Sequence, residues 1–358
     1  MTKPVLTIPT CYYTDPTFYE LEKEKIFWRT WQFVCHTTDI SEAGSFWTTD
    51  IAGESIVVVH GMDGQVRAFF NVCRHRGHRL TEGDGVCTRL VCPYHAWAYD
   101  LDGTLSNARG TDDVEGFDKA DYGLKAVRVE SFCGLLFVNL DADATPLGDL
   151  HPGLREEILE KQPRLESMIR VHSECVPHAC NWKVSVENYN ECYHCPVAHK
   201  YIVSNLYSAD EYRITVENDV VRHFSPRLEQ RDVHGDLIIW SLWPNLSIQC
   251  QPIHHSVSIR HFRGVNHRQS VYDYLWFIDP DLPAHAKAEV LEMGQKTYAS
   301  TNAIEDQMIV KNVQLGLESR GYERGPLVLK PGPASENEHA VAFFQSRYLQ
   351  TIESLAIF

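Results

Sequence analysis

The sequence predicts an α+β protein, with an antiparallel all-β domain and a second domain whose antiparallel sheet is flanked by helices. Three observations predict it. Short apolar runs separated by Gly-bearing turns fill residues 34–146. A second β set with period-two alternation spans 211–278, as in Leu237-Ile-Ile-Trp-Ser-Leu-Trp243 and Val271-Tyr-Asp-Tyr-Leu-Trp-Phe277. Helical periodicity brackets both, at 12–33, 154–168, 283–318 and 338–356. The expected domains are therefore 34–146, and 1–33 together with 147–358.

In order, residues 12–33 read as one helix, with Asp15 or Thr14 as cap, Pro16 in the first turn and a stripe of Phe18, Leu21, Ile26 and Phe27. Strands follow at Phe46–Thr49, Ser55–His60 and Val66–Phe70, the last two joined at Asp63-Gly64, a hairpin signal. Further strands are expected at Leu90-Val91, at Ala98–Leu101 turning at Asp102-Gly103, and at Gly134–Leu140. Pro146 to Pro152 reads as the linker. Asn181-Trp-Lys-Val-Ser-Val186 is a strand or a helix entry, and 338–356 carries Ala340, Phe343, Phe344, Tyr348, Leu349 and Ile352 at helical spacing.

Composition narrows the function. The 358 residues are 44% hydrophobic and 23% charged, as in ordinary globular proteins. No apolar run reaches the ~18–20 residues of a membrane span, and the N-terminus lacks a signal peptide's apolar core, so the expected location is cytoplasmic. A net charge of −15 without a basic cluster argues against nucleic acid or anionic membrane as partners. An odd eleven cysteines, without a secretion signal, point to thiols and metal ligands rather than disulfides.

Four of those ligand types sit in Cys73-Arg-His75-Arg-Gly-His78 and Cys92-Pro-Tyr-His95-Ala-Trp97. Each loop offers one thiolate and one imidazole. Structural zinc sites usually pair like ligands, whereas a mixed pair per loop suits a two-iron cluster with both thiolates on one iron and both imidazoles on the other. Cys73, His75, Cys92 and His95 are thus candidate ligands of a Rieske [2Fe–2S] cluster, with zinc as the alternative. Gly77 and Pro93 are turn formers where backbone amides must approach sulfur. His78 and Tyr94 stand where respiratory Rieske proteins place extra cysteines, and Trp97 stands where they place a serine. Fewer hydrogen bonds to sulfur imply a lower potential, suited to oxygen chemistry.

A second cluster lies in Asn188-Tyr-Asn-Glu191-Cys-Tyr-His194-Cys-Pro-Val-Ala-His199. Glu191 and His194 are three apart, on neighbouring helix faces; His194 and His199 are about 140° apart on an ideal helix. For both histidines to bind one ion the helix must end, loosen or bulge, and Pro196 supplies a break. The bland alternative is a pair of hydrogen-bonded core histidines. Two imidazoles and a carboxylate make the facial triad of non-haem Fe(II) oxygenases. The carboxylate is Glu191, or Asp306 or Glu305 in an apolar helical context where a bare acid is costly. Cys192-x-x-Cys195 mimics a thioredoxin motif, but it lacks a βαβ setting and encloses a candidate ligand, which argues against redox-disulfide chemistry.

Over essentially its full length the chain resembles the oxygenase (α) component of Rieske non-haem iron oxygenases. The resemblance rests on the two Cys/His loops, Asn181-Trp-Lys-Val184, Glu187-Asn-Tyr-x-Glu-Cys-Tyr-His-Cys-x-x-x-His199 and Glu305-Asp306 followed by Val313-Gln-x-Gly-Leu317. It implies that His194, His199 and Asp306 bind a mononuclear iron, with Asn188 and Glu191 in catalytic support. Glu191 would bridge His194 to the cluster ligand His95 of a neighbouring subunit in a head-to-tail homotrimer or an α3β3 assembly. Glu191, the Glu-Cys-Tyr-His-Cys string, residues 313–322 and Glu338-His339 with Phe343-Phe344-Gln345 resemble the carnitine, choline and glycine-betaine monooxygenase branch, from which Pro196 and Lys200 depart.

That branch implies O2-dependent hydroxylation of a carbon beside the nitrogen of a quaternary ammonium or N-methyl small molecule, with N-dealkylation or C–N cleavage. Aromatic faces suit such a cation, and Tyr189, Tyr193, Trp240 and Trp243 are the candidates, ordinary aromatic core being the alternative. With neither a Gly-x-Gly-x-x-Gly fingerprint nor a ferredoxin run, the chain requires a separate NAD(P)H-dependent flavin/ferredoxin reductase. The rival readings are an aromatic-ring dioxygenase α subunit and a non-catalytic Rieske electron-transfer protein.

Overall fold

The computed structural model describes residues 3–200, 208, 210–228, 235–297 and 305–354. The chain divides into two compact units, residues 27–155, and 1–26 with 156–358.

The first helix is shorter than expected. α1 (Cys11–Thr14) stops at Asp15, which is extended because Pro16 follows it, and Asp15 then caps α2 (Pro16–Glu22) by accepting from Thr17 N–H. A π turn, Lys23–Phe27, ends the segment.

The first unit holds β1 (Gln32–His36), β2 (Ser45–Ile51), β3 (Glu54–His60), β4 (Val66–Phe70), β5 (Asp84–Val86), β6 (Leu90–Val91), β7 (Ala98–Tyr99), β8 (Leu105–Asn107), β9 (Ala126–Phe132) and β10 (Leu135–Asn139). Seven form an antiparallel sheet in the order β1-β10-β9-β4-β3-β2-β5, and β6-β7-β8 form a small second sheet. At the expected Asp102-Gly103 turn, Gly103 has φ +90°, and a Cβ there would sit 2.5 Å from the Phe69 ring. Only glycine satisfies both demands. Val57, Val59, Phe69, Tyr99 and Leu101 form a core that also buries Cys73, Cys92 and Trp97, so the ligand loops rest on it. The expected linker contains α3 (Leu147–Leu150), and α4 (Leu154–Lys161) follows.

The second unit is built on β11 (Ile169–His178), which the sequence reading missed. This strand is charge-mixed and contains Pro177, because among the described residues it is an edge strand paired with β17 alone. Next come α5 (Trp182–Tyr189) and α6 (Cys195–Ala198), then β12 (Arg213–Glu217), β13 (Val220–Ser225), β14 (Leu237–Leu242), β15 (Leu246–Cys250), β16 (Val257–Asn266) and β17 (Gln269–Ile278). The antiparallel order is β11-β17-β16-β15-β14-β13-β12. α7 (Ala284–Thr297), α8 (Gln307–Leu317) and α9 (His339–Glu353) complete it. Asn181 caps α5 by accepting from Lys183 N–H, so the ambiguous Asn-Trp-Lys-Val segment is a helix start.

Register places His223, Ile239, Gln249 and Ser258 in one row across the sheet. The Tyr189 hydroxyl donates to Gln249 Oε1 at 2.9 Å, so α5 lies on that face. Opposite the sheet, α5 is tied to the N-terminal helix. Glu22 and Lys183, both fully buried, pair at 2.5 Å, and Glu22 also accepts from Trp182 and Tyr348. Among the described residues no helix is long and apolar enough to cross a membrane.

Candidate metal centres

In the β-rich unit the two Cys/His loops share one backbone form. Gly77 N–H donates to Cys73 O and Ala96 N–H to Cys92 O, each at 3.0 Å. Gly77 and Ala96 both have positive φ, +72° and +59°. These matched turns bring the His75 and His95 rings to 4.7 Å, with Trp97 stacked on His75. Both cysteines are 2% exposed. Burial pushes the Cys92 thiol up, while the amides of Tyr94 and His95 that point at its sulfur pull it down. His95 is pulled down by burial and by the positive groups of His75, Arg76 and His78. Its Nδ1 is buried and hydrogen-bonds to nothing among the described residues.

A two-thiolate, two-imidazole set with amides aimed at sulfur and an orphaned ring nitrogen fits a Rieske cluster. One feature was missed in the sequence. Trp97 stands in the serine position, yet the Tyr99 hydroxyl lies 3.4 Å from Cys73 Sγ, so the sulfur does have a hydroxyl beside it. The signal was Tyr99 itself, two residues further along β7.

In the second unit the stretch 188–199 is not one helix. α5 ends at Tyr189, residues 190–194 turn, and α6 starts at Cys195 with Pro196 in its first turn. Proline therefore opens a helix here, and Glu191 reaches His194 across a loop rather than along a helix face. Glu191 accepts from the backbone N–H of Tyr193 and contacts His194 Nδ1. His199 Nδ1 donates to Glu305 Oε2 at 2.7 Å. With Nδ1 of each ring engaged by a carboxylate, each Nε2 carries a lone pair. Those two nitrogens face each other at 2.9 Å, and Asp306 Oδ1 lies 3.2 Å from one and 3.8 Å from the other.

Two lone pairs and a carboxylate oxygen facing one another repel unless a cation sits between them. Ligand atoms ~2.1 Å from one ion at right angles lie about 3 Å apart, close to these spacings. The electrostatics agree. Burial opposes charge on Asp306, but His199, Asn188 and His194 outweigh it and hold its carboxyl below the usual range. Burial also works against imidazolium at His199, and Asp306 and Glu305 outweigh it and raise its pKa. Asn188 Nδ2 donates to Asp306 Oδ1 at 3.0 Å and fixes its rotamer. The set fits a divalent ion of the 2-His-1-carboxylate class.

Comparison with known proteins decides the family. Residues 30–118 match the Rieske [2Fe-2S] domain, and residues 165–354 match the catalytic domain of ring-hydroxylating α subunits. The chain belongs to the Rieske non-haem iron oxygenases. This oxygenase is 34% identical over 361 residues to the carnitine monooxygenase oxygenase subunit of Escherichia coli K12, covering 97% of this chain and 94% of that one. It is 41% identical over 206 residues to the glycine betaine monooxygenase oxygenase subunit of Chromohalobacter salexigens, 57% of this chain and 46% of that one. Its structure resembles that of the quaternary ammonium Rieske monooxygenase CntA in complex with L-carnitine, with TM-score 0.88, 30% identity and coverage of 97% and 96%. As a family member it is an oxidoreductase with a [2Fe–2S] cluster and a mononuclear iron, and as an oxygenase subunit it depends on a separate reductase.

The four aromatic candidates do not form one box. Trp240 is fully buried, donates to Glu157 at 2.6 Å and pairs with Ile248, on the sheet face away from α5, so it is unavailable to substrate. The Tyr189 ring already has a cation, the Arg260 guanidinium at 5.1 Å, and packs against Phe262. Trp243 packs on Phe344 beside a cavity of about 20 Å³. Tyr193 is half-exposed. Sequence reasoning missed the polar lining of this interior. His178 Nε2 and His223 Nε2 are buried and hydrogen-bond to nothing among the described residues. His178 ends an edge strand that the sequence did not reveal, and His223 is an isolated histidine within β13, so neither gave a signal.

The expectation of free thiols also fails at one place. Cys192 and Cys195 are joined by a disulfide, since the turn into α6 sets their Cα atoms 4.9 Å apart.

Proposed function

We propose that this oxygenase is a monooxygenase that hydroxylates a carbon next to the nitrogen of a quaternary ammonium or N-methyl substrate of the carnitine and betaine type. The observation that carries this reading is near-full-length similarity to a carnitine monooxygenase oxygenase subunit. One O2, two electrons and two protons convert a C–H beside nitrogen into C–OH plus water. The resulting carbinolamine collapses to an aldehyde and an amine, with cleavage of the C–N bond.

Cys73, His75, Cys92 and His95 would hold the cluster, and His194, His199 and Asp306 the iron. When bound, the cluster supplies single electrons and the iron supplies open positions at which O2 and substrate meet. The chain's own residues orient and charge the site. Glu305 fixes the tautomer of His199, Glu191 does so for His194, and Asn188 holds Asp306, the supporting roles on which metal affinity depends.

Glu191 would also bridge His194 to His95 of the partner subunit in a head-to-tail homotrimer. Exposed apolar groups beside each centre support a second copy as the partner: Tyr94 is 52% exposed next to His95, and Tyr193 and Val197 are 48% and 81% exposed beside His194. Electrons would come from an NAD(P)H-dependent flavin and ferredoxin reductase in the cytoplasm. The protein, supplied with such a reductase, is to be offered carnitine, glycine betaine, choline and benzoate-type aromatic acids. Amine and aldehyde release from the ammonium compounds alone is expected. Formation of cis-dihydrodiol from the aromatic acids, without amine release, overturns the reading.

A further inference from the structure

The loop that carries Glu191 and His194 contains a group that none of the roles above uses. Cys192 and Cys195 bracket His194, are bonded to each other, and are buried, at 3% and 6% exposure. They lie in an apolar cluster with Tyr212, Leu237, Ile239 and Ala334. Cys195 is tied to the iron site by its backbone, because its carbonyl accepts from His199 N–H at 2.9 Å. Its Sγ and one ring nitrogen each of His194 and His199 all lie within 4.8 Å of one another.

A disulfide sulfur is neutral and a poor ligand, whereas a thiolate is a strong, soft one. We propose that the Cys192–Cys195 disulfide sets the metal preference of this pocket. Closed, it leaves two imidazoles and a carboxylate, a set suited to Fe(II). Opened, it frees Cys195 to join His194 and His199 in a soft site for Zn(II). This rests on the two histidines being metal ligands.

Opening requires a dithiol reductant: two electrons and two protons convert the S–S bond into two thiols while the dithiol becomes a cyclic disulfide, and Cys195 loses its proton on coordination. A tetrahedral zinc with ~2.3 Å Zn–S and ~2.1 Å Zn–N bonds needs sulfur and nitrogen about 3.6 Å apart. With the three atoms already within 4.8 Å of one another, the Cys195 sulfur needs to close on the nitrogens by at most about 1 Å, a rotamer change open to it only after release from Cys192. Zinc already outranks Fe(II) for most ligand sets, and a thiolate widens the gap. The disulfide thus keeps the Cys195 thiolate away from an iron centre.

The test uses the full-length protein with its cluster intact and its mononuclear iron removed by chelation, loaded with Zn(II) alone. Zinc K-edge absorption reads zinc's own ligands and is blind to the cluster iron. The oxidised protein is expected to show nitrogen and oxygen ligands only. After dithiothreitol treatment and anaerobic desalting, one Zn–S contact is expected, lost in Cys195→Ser, with zinc held at least tenfold more tightly than in the oxidised form. Cys192→Ser leaves Cys195 permanently free and should show the Zn–S contact without reductant. A nitrogen and oxygen shell in both the reduced protein and Cys192→Ser overturns this proposal and leaves the histidine ligands standing. Zinc bound in none of these forms overturns both.

Discussion

Replacing Lys183 with Met isolates the interaction that fixes α5, the helix from which Asn188 projects toward Asp306. Lys183 and Glu22 are both 0% exposed and pair at 2.5 Å. The ammonium also lies 4.8 Å from the Tyr348 ring centroid and 5.3 Å from that of Tyr13. Met matches the volume of Lys, so little cavity forms. What remains is the Glu22 carboxylate, buried, with the Trp182 and Tyr348 donors at 2.7 and 2.8 Å as its partners among the described residues. Removing one partner of a buried ion pair costs ~3–5 kcal/mol, because the other charge is left uncompensated. For a unit of about 230 residues, an unfolding entropy near 2.1 cal/mol/K per residue converts ~4 kcal/mol into a Tm drop of ~8 °C. Differential scanning calorimetry of the catalytic transition reads this directly. The double variant Glu22→Gln, Lys183→Met removes the charge itself and should recover more than half of the loss. A single variant within ~1 kcal/mol of wild type refutes the reasoning, as does a double variant no better than the single one.

Other predictions concern the site and its surroundings. Burial pushes His223 down to about 3 and His178 to about 4. With unfolded values near 6.5, the unfolded chain gains protons below pH 6.5 that the native state refuses, so stability falls as pH drops from 6.5 toward those values. Between pH 7 and pH 5, His223→Gln should lose ~2 kcal/mol less stability than wild type in urea unfolding. Asn188→Ala frees the Asp306 rotamer, and Glu305→Gln weakens the partner of His199 Nδ1. Each should lower Fe(II) affinity ~10–100-fold in chelator competition while leaving the cluster's absorbance intact. Tyr99→Phe removes the hydroxyl beside Cys73 Sγ, which stabilises the more negative reduced cluster. Its potential should fall by on the order of 50 mV in protein-film voltammetry.

The sequence made the cluster loops legible because four ligands and their turns occupy two short segments, and nothing distant is needed to assemble them. The iron site was legible only in part. His194 and His199 are local, but the spacing left Glu191, Glu305 and Asp306 open, and the structure uses all three differently: Glu191 and Glu305 face the two Nδ1 atoms, and Asp306 faces the two Nε2 atoms. The expected helix break between 188 and 199 is present, but it falls at Asn190, before Glu191, and Pro196 opens the next helix rather than ending the first. β11 escaped notice because an edge strand with one partner need not alternate cleanly. Tyr189 and Tyr193 were chosen for lying in the histidine stretch and Trp240 and Trp243 for lying on the second sheet, but alternation along β14 turned Trp240 to the other face while leaving Ser241 toward α5. Pairings such as Lys183 with Glu22, 161 residues apart, carry no local signal at all.

The proposed arrangement has Glu191 as the bridge between centres and His194, His199 and Asp306 as the holders of the iron. Glu191→Gln tests it most directly, by iron analysis together with rapid-mixing absorbance of the reduced oxygenase exposed to O2 and substrate. Supplied with saturating Fe(II), the variant should fill its mononuclear site to the wild-type level, though with affinity lowered as in Glu305→Gln, and substrate-triggered reoxidation of the cluster should slow by ~100-fold. A mononuclear site that stays empty at saturating Fe(II) makes Glu191 a ligand and contradicts the bridging role, as does reoxidation at the wild-type rate.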